Sequence, residues 1–353
     1  MTATPTVLLS HALPPADSPD MHAALAALPL PFLRGWLQAS VAQHTQTTGA
    51  EDLVLPQELA LAETLGWTAV PGAWPWAALA VHTHARTHPH LQTWLNHPPR
   101  GSEGASPATP LPVSPAGAHH NPASDHAWAW ISLCHWQVGQ GQFTLLDPGP
   151  ITAAESAALL TSMRGYFAED GIELHPFEPG RWLARSALFE GLVSASSARV
   201  MGLPVEPWLL GAQLPELPPA IRTLRRLQNE MQMLLYQHSV NDARRIPVNS
   251  IWIEGCGRLG GDTPAPAPSS ASAITLDDLR DPWLLRDAAA WARTWERLDA
   301  EILPAWLNAP GARIALCGLR QARWWIHQPP SSWKRLQRAV RPLKPAEVLS
   351  CDA

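Results

Sequence analysis

Proline recurs too often in this chain for long unbroken helices. It accounts for 37 of 353 residues, and each one removes a backbone donor and is poorly tolerated inside a helix. The chain must therefore be built from short elements with proline-rich joints. Charged residues make up 16% against 46% apolar, which argues against a disordered chain. A folded chain of about 300 residues buries roughly three quarters of its extended surface, so a sizeable core is expected.

The joints can be read directly. Residues 97–126 hold seven prolines among Gly, Ser, Ala and His, the composition of a linker or loop. Residues 262–273 carry Pro264, Pro266 and Pro268 separated by alanines and read as an extended surface insertion. This gives a mainly helical region over 1–96, a Pro-rich linker over 97–126, a motif-bearing domain over 127–320 and a basic tail over 321–353. Helical segments are expected at Met21 to Leu28, Leu30 to Gln43 and Pro56 to Leu65.

The middle of the chain is more sharply patterned. Trp128 to Trp136 and Gln142 to Leu146 read as two strands joined by a glycine-containing turn. Thr152 and Glu155 form a capping box that opens a helix to about Ala168, which Asp170-Gly171 ends. Ile172 to His175 and Arg181 to Arg185, separated by Pro179-Gly180, read as a hairpin. After Pro218-Pro219 a helix shows Ile221, Leu224, Leu227, Met231, Leu234 and Leu235 at three- and four-residue spacing. Pro247 to Glu254 reads as a strand with both faces buried. Asp281-Pro282 then opens a long helix to about Ile302, and Ala312 to Gly318 is a short buried strand. The expected fold class is α/β, with α+β as the alternative: a mixed sheet with packed helices, a helical N-terminal region and Pro-rich insertions.

Chemistry-bearing motifs are few. Gly255-Cys256-Gly257-Arg258-Leu259-Gly260 matches GxGxxG after a strand, but Gly261-Asp262-Thr263-Pro264 follows where a dinucleotide site needs a helix N-terminus, so it reads as a glycine turn. His82, His84, His88 and His90 lie close together, and a strand would put His82 and His84 on one side. No cysteine or carboxylate near them completes a metal shell, which favours solvated loop histidines. His119, His120 and His126 fall in the linker. His238 shares a helix face with Leu227, Leu234 and Leu235, which fits a buried neutral histidine or a proton-transfer group. The four cysteines, Cys134, Cys256, Cys317 and Cys351, form no CxxC pair and no disulfide framework, and none has a recognisable base beside it. P-loop, GxSxG, HExxH and kinase signatures are all missing from the sequence.

The text Leu227-Gln-Asn-Glu-Met-Gln-Met-Leu-Leu-Tyr-Gln-His238, then Val240-Asn241, Pro247-Val-Asn-Ser-Ile-Trp252 and Gly255-Cys-Gly257, resembles proteobacterial RpfE-type regulatory proteins. The resemblance extends through His135-Trp136, Asp147-Pro148, the helix at Thr152, Phe167 to Gly171 and Arg181-Trp182, and on to Leu316-Cys317-Gly318. Ser239 and Glu254 depart from it. Members of that family are similar, in the Asn-Ser-x-Trp-x-x-Gly-x-Gly segment, to cofactor-independent phosphoglycerate mutases. Those enzymes need a nucleophilic serine and two metals held by Asp and His, a constellation not found here.

The resemblance implies a regulatory protein, non-catalytic and without cofactor, acting through a protein partner or a small ligand. Its pocket is expected where the helix over 220–238 meets the strand over 247–254. The candidate ligand-binding residues are Asn229, Glu230, Gln232, His238, Asn241, Asn249, Ser250, Trp252, Gly255 and Gly257. The alternative is a mutase-like phosphoryl-transfer enzyme using a divalent metal. A second alternative is nucleic-acid binding through Arg320, Arg323, Trp324, Trp325, Lys334, Arg335 and Arg338, in a stretch from 302 to 346 free of acidic residues, although the net charge of -5 argues against it. No apolar run approaches the roughly 18 to 20 residues of a membrane span, and Met1 to Pro15 does not read as a secretory signal, so a cytoplasmic location is expected.

Overall fold

The computed structural model describes residues 5–84, 126–139, 141–266, 273–329, 331–333, 338, 340 and 342–350. The fold is α/β. Along the chain run β1 (Thr6–Leu9), α1 (Pro19–Ala27), α2 (Pro31–Gln38), β2 (Val41–Thr47), α3 (Pro56–Leu65), α4 (Trp76–His84), β3 (Trp128–Gly139) and β4 (Gln142–Leu146). Then follow α5 (Ala153–Glu169), β5 (Glu173–Glu178), β6 (Arg181–Arg185), α6 (Ser197–Val200), α7 (Pro219–Tyr236) and β7 (Ser250–Gly257). The last part holds β8 (Ala273–Leu276), α8 (Arg280–Leu284), α9 (Ala288–Arg297), α10 (Leu303–Leu307), β9 (Arg313–Cys317), β10 (Gln321–Ile326) and α11 (Pro345–Leu349).

Two compact units divide the chain, one formed by Met1–Thr68 with Pro266–Ala353, the other by Ala69–Ala265. These divisions fall near 68 and 265, away from the boundaries expected at 127 and 320. The expected linker over 97–126 lies outside the described residues. The segment read as an insertion, 262–273, is where the chain passes back into the first unit, and residues 267–272 of it are also outside the described set.

In the first unit the strand order is β2-β10-β9-β1-β8. β1 pairs in parallel with β8 on one side and β9 on the other, with Val7 opposite both Ile274 and Ile314. β10 and β2 add antiparallel strands. Side chains alternate across the pleat, so Val7, Leu9, Ile314 and Leu316 enter the core with Leu33, Leu37, Trp291, Trp295 and Leu298, while Leu8, Ala315, Cys317 and Trp324 pack with Ala60 on the other face. Both faces are buried, as expected of a parallel core.

Three expectations are corrected in this unit. The N-terminal region contains strands as well as helices: the helix expected to reach Gln43 stops at Gln38, and Val41–Thr47 is an edge strand. The single helix expected to Ile302 is interrupted after α8, and the helix that resumes as α9 passes through a π-helical stretch Leu298–Ile302 and runs on as α10. The basic tail is not separate, because β10 lies inside the sheet between β9 and β2.

The π-helical stretch carries Asp299, 1% exposed, whose carboxylate accepts from Leu33 N at 2.7 Å and Phe32 N at 3.0 Å. It caps α2, whose own N-cap residue Leu30 has no polar side chain. Burial raises the pKa of Asp299, while those two N–H bonds pull it the other way.

The second unit is an antiparallel sheet in the order β4-β3-β6-β5, with β7 also paired to β3. The capping box forms as expected, Thr152 accepting from Glu155 N while the Glu155 carboxylate accepts from Thr152 N at 2.7 Å. Leu159, Met163 and Phe167 of α5 and Leu224, Leu227, Met231 and Leu235 of α7 cover Ile131, Trp182, Ile251 and Ile253 on one face. Trp130, Ser132, Trp252 and Glu254 are buried on the other. His82 and His84 stand in the last turn of α4, a helix and not a strand, and His88 and His90 lie outside the described residues. No helix among the described residues is long and apolar enough to cross a membrane.

Candidate functional site

The motif residues between α7 and β7 are largely tied to the backbone. The Asn241 amide donates to the carbonyls of Leu235 at 2.8 Å and Val248 at 2.9 Å, and its oxygen accepts from Val248 N at 2.8 Å. Asn249 pairs with both backbone groups of Trp136, at 2.7 and 3.0 Å, and so continues the β3 and β7 ladder with a side chain. Trp252 Nε1 donates to Ala195 O at 2.9 Å, and Gln232 Nε2 lies 3.4 Å from the Oγ of fully buried Ser250. His238 caps the turn over Ser239–Ala243, its Nδ1 accepting from Val240 N at 3.2 Å, and its Nε2 lies 2.9 Å from Ser162 Oγ. Asn229 is exposed, and Glu230 pairs with Arg226 at 2.7 Å. These contacts join a helix end to a strand.

The two glycines of the motif answer to backbone geometry. Gly255 has φ of +62°, and a Cβ there would meet Trp76 Cβ at 3.0 Å and Trp130 Cδ1 at 3.1 Å. Its N–H donates to Ser194 Oγ at 3.1 Å. Gly257, at φ +125°, lines a cleft of about 600 Å³ with Pro75, Leu192 and the turn to Gly261. The chain beyond β7 is a tight turn closed by Gly260 and Thr263, not a helix, in keeping with the rejection of a dinucleotide loop. Arg258 on the rim is paired with Glu190 at 2.9 Å.

Three residues that matter here are not among the sequence candidates, although Glu254 is noted there as a departure from the family pattern. Gln228 is buried and donates to Ile251 O at 2.7 Å, and its signal was its position four residues from Leu224 on the apolar stripe. Glu254, 3% exposed, accepts from Ser132 Oγ at 2.7 Å and from the backbone N–H of Ser197, and faces Arg181 Nη2 at 3.4 Å. Arg181 in turn stacks 4.2 Å from the Trp130 ring centroid. Arg244 pairs with Glu155 at 2.9 Å and donates to Pro148 O and Pro150 O, tying down the turn before α5.

Burial pushes all three described thiols up, Cys256 to about 12 and Cys134 and Cys317 further. None is a poised nucleophile. Among the described residues no three His, Cys, Asp or Glu side chains stand together in a way that could hold a metal ion.

The nucleic-acid candidates are mostly structural. Trp324 is 1% exposed, with Nε1 donating to Gln46 at 3.0 Å and Arg313 over its ring, and Trp325 is in the core, so neither is free to stack on a base. Arg323 donates to Val348 O at 2.5 Å, and Arg338 donates to the carbonyls of Leu37 and Gln38 in the last turn of α2 and of Ser40 just beyond it. Lys334 and Arg335 lie outside the described residues. Arg320 is exposed.

Arg320 belongs instead to a crevice in the first unit. In open α/β sheets ligands bind outside the carboxyl ends of the parallel strands. At that edge, after β1 and β9, lies a crevice of about 860 Å³. Its walls come from Pro14 to Asp17, from Thr45, Thr47 and Thr48, from Trp283 and Arg286, and from the turn Gly318 to Gln321. The loop after β1 is held by two indoles, Trp283 Nε1 donating to Leu13 O at 2.9 Å and Trp291 Nε1 to His11 O at 3.1 Å. Gly318 approaches this loop so closely that a Cβ would stand 3.0 Å from Leu13 Cβ.

The Trp283 ring is flanked by two residues with positive φ, His11 at +56° and Arg286 at +54°. The His11 ring meets it edge-on at 5.3 Å, and the Arg286 guanidinium lies 4.6 Å from its centroid. His11 Nδ1 is 3.3 Å from Asp277 Oδ1 without the alignment of a hydrogen bond. Arg286 also pairs with Asp17 at 3.1 Å.

No family model matches this chain, and no curated protein matches it. Among solved structures it is similar to the PH0037 protein from Pyrococcus horikoshii, at 12% identity over 92% of this chain and 88% of that one, with a TM-score of 0.42. It is also similar to a cofactor-independent phosphoglycerate mutase from Thermoplasma acidophilum DSM 1728, at 13% identity over 98% of each chain, with a TM-score of 0.31.

Proposed function

We propose that this chain is a ligand-binding regulatory protein of the RpfE type, and that its ligand occupies the crevice at the carboxyl ends of β1 and β9. The observation that carries the reading is the make-up of the crevice walls. They offer an indole, threonine hydroxyls and guanidinium groups, which hold and orient a ligand, and the one carboxylate among them, Asp17, is engaged by Arg286. Catalysis of phosphoryl transfer needs clustered metal ligands in such a place. The resemblance at Leu227 to Gly257 supports the family assignment, while the bonds made by those residues give them a part in holding α7 to β7.

The test is a thermal-shift and activity panel on the full chain. A ligand of the folded state at a hundred times its Kd adds about 2.7 kcal/mol, or several degrees for a unit of this size. The reading expects stabilisation by small organic molecules with no requirement for divalent metal and no turnover. Stabilisation by magnesium or manganese together with phosphoglycerate, with interconversion of its isomers that EDTA abolishes, would replace it by the mutase-like enzyme.

A further inference from the structure

We infer that the crevice takes an organic anion, a carboxylate or phosphate monoester on a small apolar body, anchored by Arg320 and Arg286. This rests on the reading of the crevice as the ligand site and adds the chemistry of its occupant. The walls carry two guanidinium groups and one carboxylate, so one positive charge is uncompensated. Among the described residues the Arg320 side chain has no acidic or hydrogen-bonding partner, although its own backbone carbonyl is fixed by Thr48 N at 2.8 Å. The guanidinium is therefore a free donor on an anchored turn, and its fork suits either a carboxylate or a phosphate.

Arg286 is the second cation. Its pair with Asp17 joins two well-exposed side chains, an arrangement that contributes little in water and exchanges readily for a ligand anion. The Thr45 and Thr47 hydroxyls make no hydrogen bond to the protein among the described residues, and that of Thr48 reaches Leu319 O only at 3.5 Å. Thr45 and Thr47 are neutral donors spare for the remaining anion oxygens.

A crevice of about 860 Å³ is far larger than a bare inorganic ion, and Pro14, Pro15 and Leu319 supply apolar wall for an organic body. Only three non-glycine residues among the described ones have positive φ, and two of them, His11 and Arg286, clasp Trp283 in this wall. Strain of that kind persists where the surrounding structure holds a site in place.

The test is calorimetric titration of the full chain with phenylacetate, phenyl phosphate and the neutral benzyl alcohol. Three proteins are compared: the wild type, Arg320→Gln, and Thr47→Trp, in which an indole from the exposed edge strand fills the crevice. The wild type should bind at least one of the two anions, with affinity falling as salt rises, and Arg320→Gln should weaken that binding ten-fold or more. Thr47→Trp should abolish it, and the preference between the anions tells carboxylate from phosphate. Benzyl alcohol binding as tightly as the anions, with Arg320→Gln indifferent and Thr47→Trp still blocking, overturns the anion and leaves the ligand site standing. Binding untouched by Thr47→Trp, or no binding of any probe at millimolar concentration, overturns both.

Discussion

Substituting Gly255 by alanine separates a structural role for the Gly-Cys-Gly segment from a ligand-binding one. Gly255 sits at φ +62°, where an L side chain costs about 1 to 2 kcal/mol. The added methyl would stand 3.0 Å from Trp76 Cβ, 3.1 Å from Trp130 Cδ1 and 3.3 Å from Ala77 N. Neither a packed indole nor a backbone nitrogen yields easily, and overpacking of this kind costs about 1 to 3 kcal/mol. Against this, alanine narrows the unfolded ensemble by about 0.4 to 1 kcal/mol. The net expectation is a loss of about 2 to 4 kcal/mol in the unfolding of the unit over 69–265, read by urea denaturation. Gly139→Ala is the control, since nothing lies within 4 Å of its would-be Cβ and its φ is not positive, so stability should stay within about 0.5 kcal/mol. Wild-type stability of Gly255→Ala would show that the added methyl is accommodated, and loss of ligand binding in that stable variant would return the site to this segment.

Four further outcomes follow from buried or paired groups. Asp299→Ala strips two N–H groups at the start of α2 of their acceptor and should cost about 2 to 4 kcal/mol by chemical denaturation; a loss under about 0.5 kcal/mol would show that water replaces the cap. Because the folded-state pKa of Asp299 is raised, its contribution is fully present below the unfolded value of 3.8 and fades as pH rises through the folded value, so the stability of wild type relative to Asp299→Asn should fall with rising pH. Glu155 behaves oppositely: the Thr152 N–H, then the Thr152 hydroxyl and Arg244, lower it from 4.5 to about 2. Its contribution is present above pH 4.5 and lost as pH falls towards 2, and Glu155→Gln should remove that part of the acid dependence. In a Cys351→Ser background, Ellman's reagent should label no thiol of the native protein at neutral pH, and all three should react on unfolding; prompt native labelling would contradict the buried environment of Cys134, Cys256 and Cys317.

The legible parts of the fold were those set by local pattern. The capping box at Thr152, the turns at Asp170-Gly171 and Pro179-Gly180, and the apolar stripe from Ile221 to Leu235 each fix geometry within a few residues, and α5, the β5 and β6 hairpin and α7 formed where expected. β1 was not legible, because a short apolar run such as Val7-Leu8-Leu9 has no period that separates strand from helix, and its partners lie beyond residue 270. β2 was missed because Gln43 to Thr47 is polar on both faces at a sheet edge. For the site, residue types left the role open. Asn241, Asn249 and Trp252 have the look of a pocket lining, yet polar groups at a buried joint satisfy backbone first. The crevice draws on residues near 15, 47, 285 and 320 that share no motif, and only the parallel pairing of β1 with β9 assembles them.

The most direct test of a crevice that binds anions without transforming them is the ³¹P spectrum of 3-phosphoglycerate with magnesium and the full chain. Any broadening of the phosphate line by the wild type should be lost with Arg320→Gln, while no signal of the second isomer grows. Growth of that signal would contradict the account, as would broadening that Arg320→Gln leaves unchanged.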